Sequence, residues 1–465
     1  MHRRPTCAPV EVAPPTAAMS QPTVNKPKVI AFVPCKGSSS RIIGKNVKLL
    51  DSKPLFLHTL EKLIFHCPCV DLVVLDTESD DVIALAECLN KHNHRFAVMK
   101  RAPELATNAT DGNKLFLNEV EQFHADIYVQ ILCTSPFISP DSISRSIEIL
   151  QEKHAEFDSV VAVEVMKQYV WTESGPAYDR QQIPNSVDLP DTIVETMGMY
   201  VITREAALST KRRFGNKPYP MQLTPVEAID INYDSDFNLA ERVARGNRLE
   251  VLRKLECVRM QLTSAILTDT MDDLNLTNHT ALGLAPQGVK CKILGRAQTL
   301  KLRPLEEGED FKGIYDALRS YDYIGTGDII AVENPLNGRA YFGELNAHLA
   351  KKRGAAGVVT NGCTRDTDEV KQTGLPVFAV GSVCSDVRGR ATVESINCSI
   401  TLDGASCHPG DLIFADSEGV VVIPQEHENA VLTAALERIL NETAIRSGIL
   451  RDMSTDDIIA VHGNF

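Results

Sequence analysis

Residues 29–46 read VIAFVPCKGSSSRIIGKN, and the fold follows from how this stretch divides. Val29 to Val33 is an unbroken apolar run, the pattern of a strand buried on both faces. It gives way to Gly37-Ser38-Ser39-Ser40, a loop of small side chains with Lys36 before it and Arg41 and Lys45 after it. In open α/β sheets the loop leaving the carboxyl end of a parallel strand is where a phosphate is held. Small residues let backbone N–H groups approach an anion, and nearby cations add charge. Neither the Gly-Lys-Ser/Thr ending of a P-loop nor the GxGxxG fingerprint is present. A plain serine-rich turn after a strand is the other reading these residues leave open.

Outward from this loop, strand and helix patterns alternate. Leu55 to Phe65 is apolar at helical spacing, 71–75 reads as a strand, and 79–89 reads as a helix with an acidic start. Residues 127–132 and 159–165 read as strands, and Pro140-Asp141-Ser142 opens a helix to Lys153. Such alternation predicts a parallel sheet covered on both faces. With 465 residues, 43% of them hydrophobic and 23% charged, the chain suits two or three globular domains. A net charge of −13 argues against a nucleic-acid or anionic-membrane surface, and no apolar run is long enough for a membrane span.

The 12 cysteines are scattered, which predicts reduced thiols in a cytoplasmic protein; the tightest group, His66-Cys67-Pro68-Cys69, has no second pair at zinc spacing. The domain expectation is a disordered Pro/Ala/Thr-rich tail over 1–26, without the apolar core of a secretory signal. A first domain over 27–248, a helical connector over 249–262 and a second domain over 263–465 follow. His348, His408 and His427 stand alone and read as surface or packing residues.

The segment Pro34-Cys35-Lys36-Gly37-Ser38-Ser39-Ser40-Arg41-Ile42-Ile43-Gly44-Lys45-Asn46 resembles the first motif of the cytidylyltransferases that activate acidic sugars, the acylneuraminate and CMP-Kdo synthetases. Further pieces follow in the family's order: Leu75 to Glu78, Arg101 to Ala106, Thr134-Ser135-Pro136, Glu195 to Tyr200, and Asp230-Ile231-Asn232 to Phe237. The resemblance spans about residues 28–246. It implies a Rossmann-like nucleotide-diphospho-sugar transferase fold with a mainly parallel sheet. By resemblance Lys36, Arg41 and Lys45 would touch phosphates, with Gly37, Ser38, Ser39, Ser40 and Asn46 around the nucleotide and Arg180 and Gln181 near the sugar. Asp230 and Asn232 would hold Mg²⁺ or Mn²⁺, since alternate residues of an extended segment share a face. Five family positions are altered, at Lys36, Ser40, Leu132, Ile138 and Asn232. Lys36 keeps charge but not an arginine's fork, and Asn232 offers an oxygen without the neutralising charge.

A second resemblance begins near residue 260. Thr263 to Asp272, Gly343-Glu344-Leu345-Asn346, Gly354 to Asp366, Gly374 to Phe378 and Pro409 to Val422 resemble RraA-like proteins, which include class II 4-hydroxy-4-methyl-2-oxoglutarate aldolases. Asn361 stands where that family has an aspartate. The implied fold is an αββα swivelling domain. By resemblance Arg365 would bind a 2-oxo acid's carboxylate and keto oxygens, and Asp366 would hold Mg²⁺ or Mn²⁺. The backbone of Gly343, Glu344, Leu345 and Asn346 would receive the substrate's carboxylate at a helix start.

Together the two resemblances imply a CMP-sugar synthetase using CTP and an acidic 2-keto-3-deoxy sugar, joined to a metal-dependent aldolase or decarboxylase for pyruvate-type acids. They also imply a homo-oligomer without nucleic-acid or membrane partners. Two alternatives stay open: the second domain carries the main activity, or the chain is a regulatory binding protein with a degenerate transferase site. The namesake of the second family is a protein-binding inhibitor of RNase E, so fold alone does not fix activity.

Overall fold

The structure is a computed structural model describing residues 27–39, 41–92, 94–107 and 109–463. The expected tail and Ser40 lie outside the described residues. Seven strands make the first sheet: β1 (Val29–Pro34), β2 (Leu72–Thr77), β3 (Phe96–Lys100), β4 (Ile127–Ile131), β5 (Ser159–Met166), β6 (Thr192–Thr203) and β7 (Pro218–Gln222). Their order is β7-β5-β6-β4-β1-β2-β3. β1 pairs in parallel with β2 and β4, and β6 runs antiparallel to both its neighbours.

All six residues of β1 are buried, and their alternation divides them between two cores. Val29, Ala31 and Val33 pack with Phe56, Leu60 and Leu63 of α1 (Leu55–His66) and with Ile143 and Ile147 of α4 (Pro140–Glu152). Ile30 and Phe32 pack on the other face with Phe116 and Val120 of α3 (Gly112–Gln122). Burying each such side chain contributes about 1.5–3 kcal/mol, so a charge at Leu60 would break this layer. Between β1 and β2 the chain forms α1, and α2 (Asp80–His92) follows β2. The strand order reverses between β1 and β4, so the loops after these two strands flank the crevice where such sheets bind ligands.

A 26-residue helix, α5 (Asp234–Arg259), leads from this sheet to the second. There α6 (Ser264–Asp273) starts at Thr263, whose hydroxyl accepts the Ile266 N–H at 3.1 Å. The second sheet contains β8 (Ile293–Pro304), β9 (Ile329–Glu333), β10 (Gly357–Thr360), β11 (Val377–Ala379), β12 (Leu412–Ala415) and β13 (Val420–Ile423), in the order β13-β12-β8-β9-β10-β11. β8 to β11 are parallel, and β12 is antiparallel to β8 and β13. The far half of β8 also pairs with Ala391–Ile396 through a bulge at Lys301/Leu302, which curls the sheet. The helices α7 (Glu344–Arg353), α8 (Thr367–Gln372) and α9 (Glu428–Leu450) complete this half.

Both halves are mixed α/β, as the two resemblances imply. Among the described residues no helix is long and apolar enough to cross a membrane. Nine described cysteines are free thiols and Cys398 is disulfide-bonded, a departure from the all-thiol reading. Cys67 is fully buried, and burial pushes its thiol up to about 12.

Candidate functional site

The loop after β1 faces a second loop, 230–237, that opens α5. Lys45 is buried and donates from Nζ to the Ile231 carbonyl at 2.6 Å. The Arg41 guanidinium lies 5.5 Å from the Tyr233 ring centroid, and Lys48 Nζ lies 4.2 Å from that of Phe237. Lys48 is also 3.6 Å from Asp234. Gly44, at φ +59°, makes the tight turn that brings Lys45 and Asn46 inward. The Asn46 amide donates to the Lys36 carbonyl at 2.8 Å, and Ser39 Oγ accepts the Ile42 N–H at 3.4 Å. Ser38 is exposed beside them.

In the facing loop Asn232 donates its amide to Asp230 Oδ2 at 2.5 Å. Asp236 is spent on the helix start, accepting the Asn232 and Tyr233 N–H groups at 2.9 and 2.8 Å. Among the described residues, Asp230 Oδ1 and Asn46 Oδ1 are buried and find no hydrogen-bond partner. Burial pulls the Lys45 ammonium pKa below its usual value, against the pull of Asp230 and Asp236.

Behind the first loop, Glu78 Oε1 accepts the Gly37 N–H at 2.8 Å. Arg101 lies 3.6 Å from Glu78 Oε2 and forks onto both Asp76 oxygens at 3.0 and 2.9 Å. Glu119 is fully buried next to Asp76, and burial, with the Asp76 charge beside it, pushes its carboxyl well above the usual range. This network fixes the floor of the loop.

In the second sheet, Arg365 and Asp366 enter α8 beside the start of α7. Arg365 Nη2 lies 3.0 Å from Asp386 Oδ2, and its Nε lies 3.6 Å from Asp366 Oδ2. Asp366, at φ +53°, turns its carboxylate back to accept the Glu344 N–H at 3.3 Å. A Cβ on Gly343 would fall 2.6 Å from that carboxylate, so a side chain there would displace Asp366 from the Glu344 N–H. Asn346 donates to the Tyr341 carbonyl, Leu345 is 78% exposed, and Glu344 lies 3.8 Å from His348. The cleft is open, with the Arg365 and Asp366 side chains 39% and 43% exposed.

Two family profiles match the chain, described as Cytidylyltransferase over residues 30–254 and Aldolase/RraA over residues 264–422. Each half of the chain thus matches one of these family models, the first half Cytidylyltransferase and the second Aldolase/RraA. An uncharacterized protein of Methanocaldococcus jannaschii is 36% identical over 35% of this chain and 77% of its own length. Protein DlpA of Legionella pneumophila is 29% identical over 49% of this chain but only 36% of its own length. This chain therefore spans about a third of that relative. Among solved structures, a CMP:2-keto-3-deoxy-manno-octonic acid synthetase complexed with CTP aligns at 13% identity and TM-score 0.36 over 47% of this chain and 99% of that one.

Within the cytidylyltransferase half, Lys36, Gly37, Ser38, Ser39, Arg41, Lys45 and Asn46 fall on the loop, with Asp230 and Asn232 opposite. Arg180 and Gln181 lie elsewhere: Arg180 stands over Gly175 on an exposed arm, and the Gln181 N–H donates to Asp179. Neither is bonded to the loop. In the aldolase/RraA half, Gly343 to Asn346 meet Arg365 and Asp366. Asn361 donates to the Thr401 carbonyl at 3.3 Å and accepts the Asn334 N–H at 2.6 Å, a pairing in which an aspartate would lack the donor.

Glu78 and Asp386 were missed as site residues. Glu78 stood in the quoted Leu75–Glu78 segment, just past a strand end, which was signal enough; nothing in the sequence marks Asp386. Among the described residues no three His, Cys, Asp or Glu side chains gather closely enough to hold a metal unaided. A cavity of about 1010 Å³ lies between the halves, lined by His58, Lys62, Phe137, Arg248, Arg296 and His408 among others. Neither loop site opens into it.

Proposed function

We propose that the first half transfers CMP from CTP to the anomeric hydroxyl of an acidic 2-keto-3-deoxy sugar. The hydroxyl oxygen bonds to the α-phosphorus, the bond to the β-phosphate oxygen breaks, and diphosphate leaves with the hydroxyl proton passing to water. The observation that carries this reading is the pair of facing loops tied by Lys45, with Asp230 Oδ1 and Asn46 Oδ1 buried and unpartnered. Unpartnered buried oxygens of this kind are the donors a divalent cation takes, and these two would hold one jointly with the nucleotide. Such an ion supplies neutralising charge at the α-phosphate. Lys36, Arg41 and Lys45 bind and orient the triphosphate, and the Gly37-to-Ser39 backbone approaches it closely. Calorimetry of the full chain with CTP and magnesium, followed by diphosphate release across a panel of 2-keto-3-deoxy sugars, tests this reading. No CTP uptake ends it; uptake without release on any sugar favours the binding-protein alternative.

For the second half the supporting observation is Arg365 set against the amino end of α7 with Asp366 beside it. This arrangement suits a 2-oxo acid, whose carboxylate takes the helix N–H groups while Arg365 stabilises the enolate oxygen formed on cleavage or decarboxylation. Asp366 would hold a divalent cation together with the substrate's own oxygens. Pyruvate release from oxaloacetate or a 4-hydroxy-2-oxo acid, abolished by Arg365→Ala, is the expected result. We place the protein in the cytoplasm as a homo-oligomer, with domains divided near residues 248 and 263.

A further inference from the structure

Arg248 belongs to no quoted motif, yet it joins three parts of the molecule. It sits on α5, fourteen residues after Asp234, or about 21 Å along the axis at 1.5 Å per residue. Its Nε donates to Asp51 Oδ2 at 2.6 Å and its Nη2 to the Asp51 carbonyl at 3.2 Å. Its Nη1 donates to Asp328 Oδ1, in the second half of the chain, at 2.8 Å. The cluster is largely closed to solvent, the side chains of Arg248, Asp51 and Asp328 being 20%, 12% and 2% exposed.

The second half is shaped to receive this helix. A Cβ on Gly325 would fall 2.3 Å from Arg248 Cζ, and one on Gly327 would fall 2.2 Å from Leu252 Cδ2. Asp328 Oδ2 is itself held by the Gly325 N–H at 2.7 Å. On the other side, Asp51 and Ser52 form a left-handed turn at φ +45° and +70°. That turn is pinned by Glu241, which accepts the Asp51 N–H at 2.9 Å, and by Ser52 Oγ, which donates to the Ile324 carbonyl at 3.0 Å. The start of α1, just past the turn, holds the far end of the phosphate loop. The Leu55 N–H donates to the Lys48 carbonyl and the Phe56 N–H to the Asn46 carbonyl, both at 3.0 Å.

We infer that Arg248 is a positioning residue for the transferase site: seated by Asp328 and the Gly325–Gly327 loop of the second half, it sets where α5 presents the Asp230–Asn232 loop to Lys45 and Asn46. The aldolase-like half is then a structural part of the nucleotide site. This inference rests on the CTP reading of the first half. A rigid helix gripped at Arg248 across a domain seam transmits a shift at the grip to its amino end, and the Asp230 loop is continuous with that end.

The test is the magnesium-dependent gain in CTP affinity, measured by calorimetry on the full chain with and without magnesium. Arg248→Met removes the clamp. Asp328→Asn, close to isosteric and confined to the second half, keeps the fold if the first variant does not. Both are expected to lose at least about tenfold of the magnesium-dependent gain while binding magnesium-free CTP as the unmodified chain does. Faster amide exchange over 230–236 should accompany the loss, with an unchanged circular dichroism spectrum. Retention of the full magnesium gain and of slow exchange in Asp328→Asn overturns the inference while leaving the CTP reading standing. If the unmodified chain takes up no CTP at all, both fall together.

Discussion

At the scale of single residues, Gly37 is the most exposed to test. A Cβ there would lie 2.4 Å from Ser79 Cβ and 2.7 Å from Ser79 Oγ, and its N–H is already committed to Glu78. Gly37→Ala must push the loop away from the end of β2. Overpacking of this kind costs about 1–3 kcal/mol, and here it falls on a surface loop rather than on the core. CTP affinity should therefore drop by about tenfold while the melting temperature barely moves, as calorimetry beside thermal unfolding would show. If the loop were a plain serine-rich turn, the same variant would leave no change in nucleotide uptake to find. Residues of this sort were legible because their chemistry is local: the loop, Lys45 and the Arg365-Asp366 pair are each contiguous in sequence. Asp386 acts on Arg365, a partner that only the fold brings near, so its role was not readable from spacing.

At the scale of elements, α4 shows how a helix start becomes part of the site's frame. Ser139 caps it, accepting the Ser142 N–H at 3.1 Å, and Pro140 opens its first turn. Glu227 then clamps that start. Its Oε1 accepts from the Ser139 N–H and Ser142 hydroxyl at 3.0 and 2.7 Å, and its Oε2 from the Thr224 N–H and hydroxyl at 3.0 and 2.9 Å. Burial pushes the Glu227 carboxyl up, but these bonds outweigh it and hold the group down at about 2, below the usual 4.5. The folded state thus favours the charged form, and the resulting stability is complete above about pH 4.5 and lost as pH falls towards 2. Glu227→Gln should destabilise the protein by about 1.5–3 kcal/mol at neutral pH. It should also flatten the decline between pH 4.5 and 2, which denaturant melts at several pH values would record. The α4 start was readable from Pro140-Asp141-Ser142, though not its cap at Ser139. The single span of α5 was not: the sequence suggested a helical connector over 249–262, whereas the helix already begins at Asp234 and Gly246 sits inside it with open space beside it. The two- and three-residue strands of the second half carry too little periodicity to be read at all.

At the scale of the whole molecule, the question is whether two families in one chain behave as two proteins. Their cores are separate, since β1 to β7 and β8 to β13 share no strand pairing. The seam between them is nonetheless bonded in specific places: Arg248 to Asp328, Ser52 to the Ile324 carbonyl, and Leu255 of α5 packed with Leu262, Leu294 and Phe414. Replacing one member of a buried ion cluster leaves its partner uncompensated and costs about 3–5 kcal/mol, more than separate surface contacts would supply. Ligand binding to a folded half stabilises it by RT ln(1 + [L]/Kd), about 2.7 kcal/mol at a hundredfold excess over Kd. With the seam intact, that stabilisation must be overcome before either half unfolds cooperatively. Magnesium–CTP at such an excess should therefore raise the unfolding temperature of both halves, followed by hydrogen exchange in β1 for the first and β9 for the second. In Asp328→Asn the rise should be confined to the first half. Protection of β9 that ignores CTP in the unmodified chain would mean that the two halves fold and bind independently, with α5 as a tether rather than a joint.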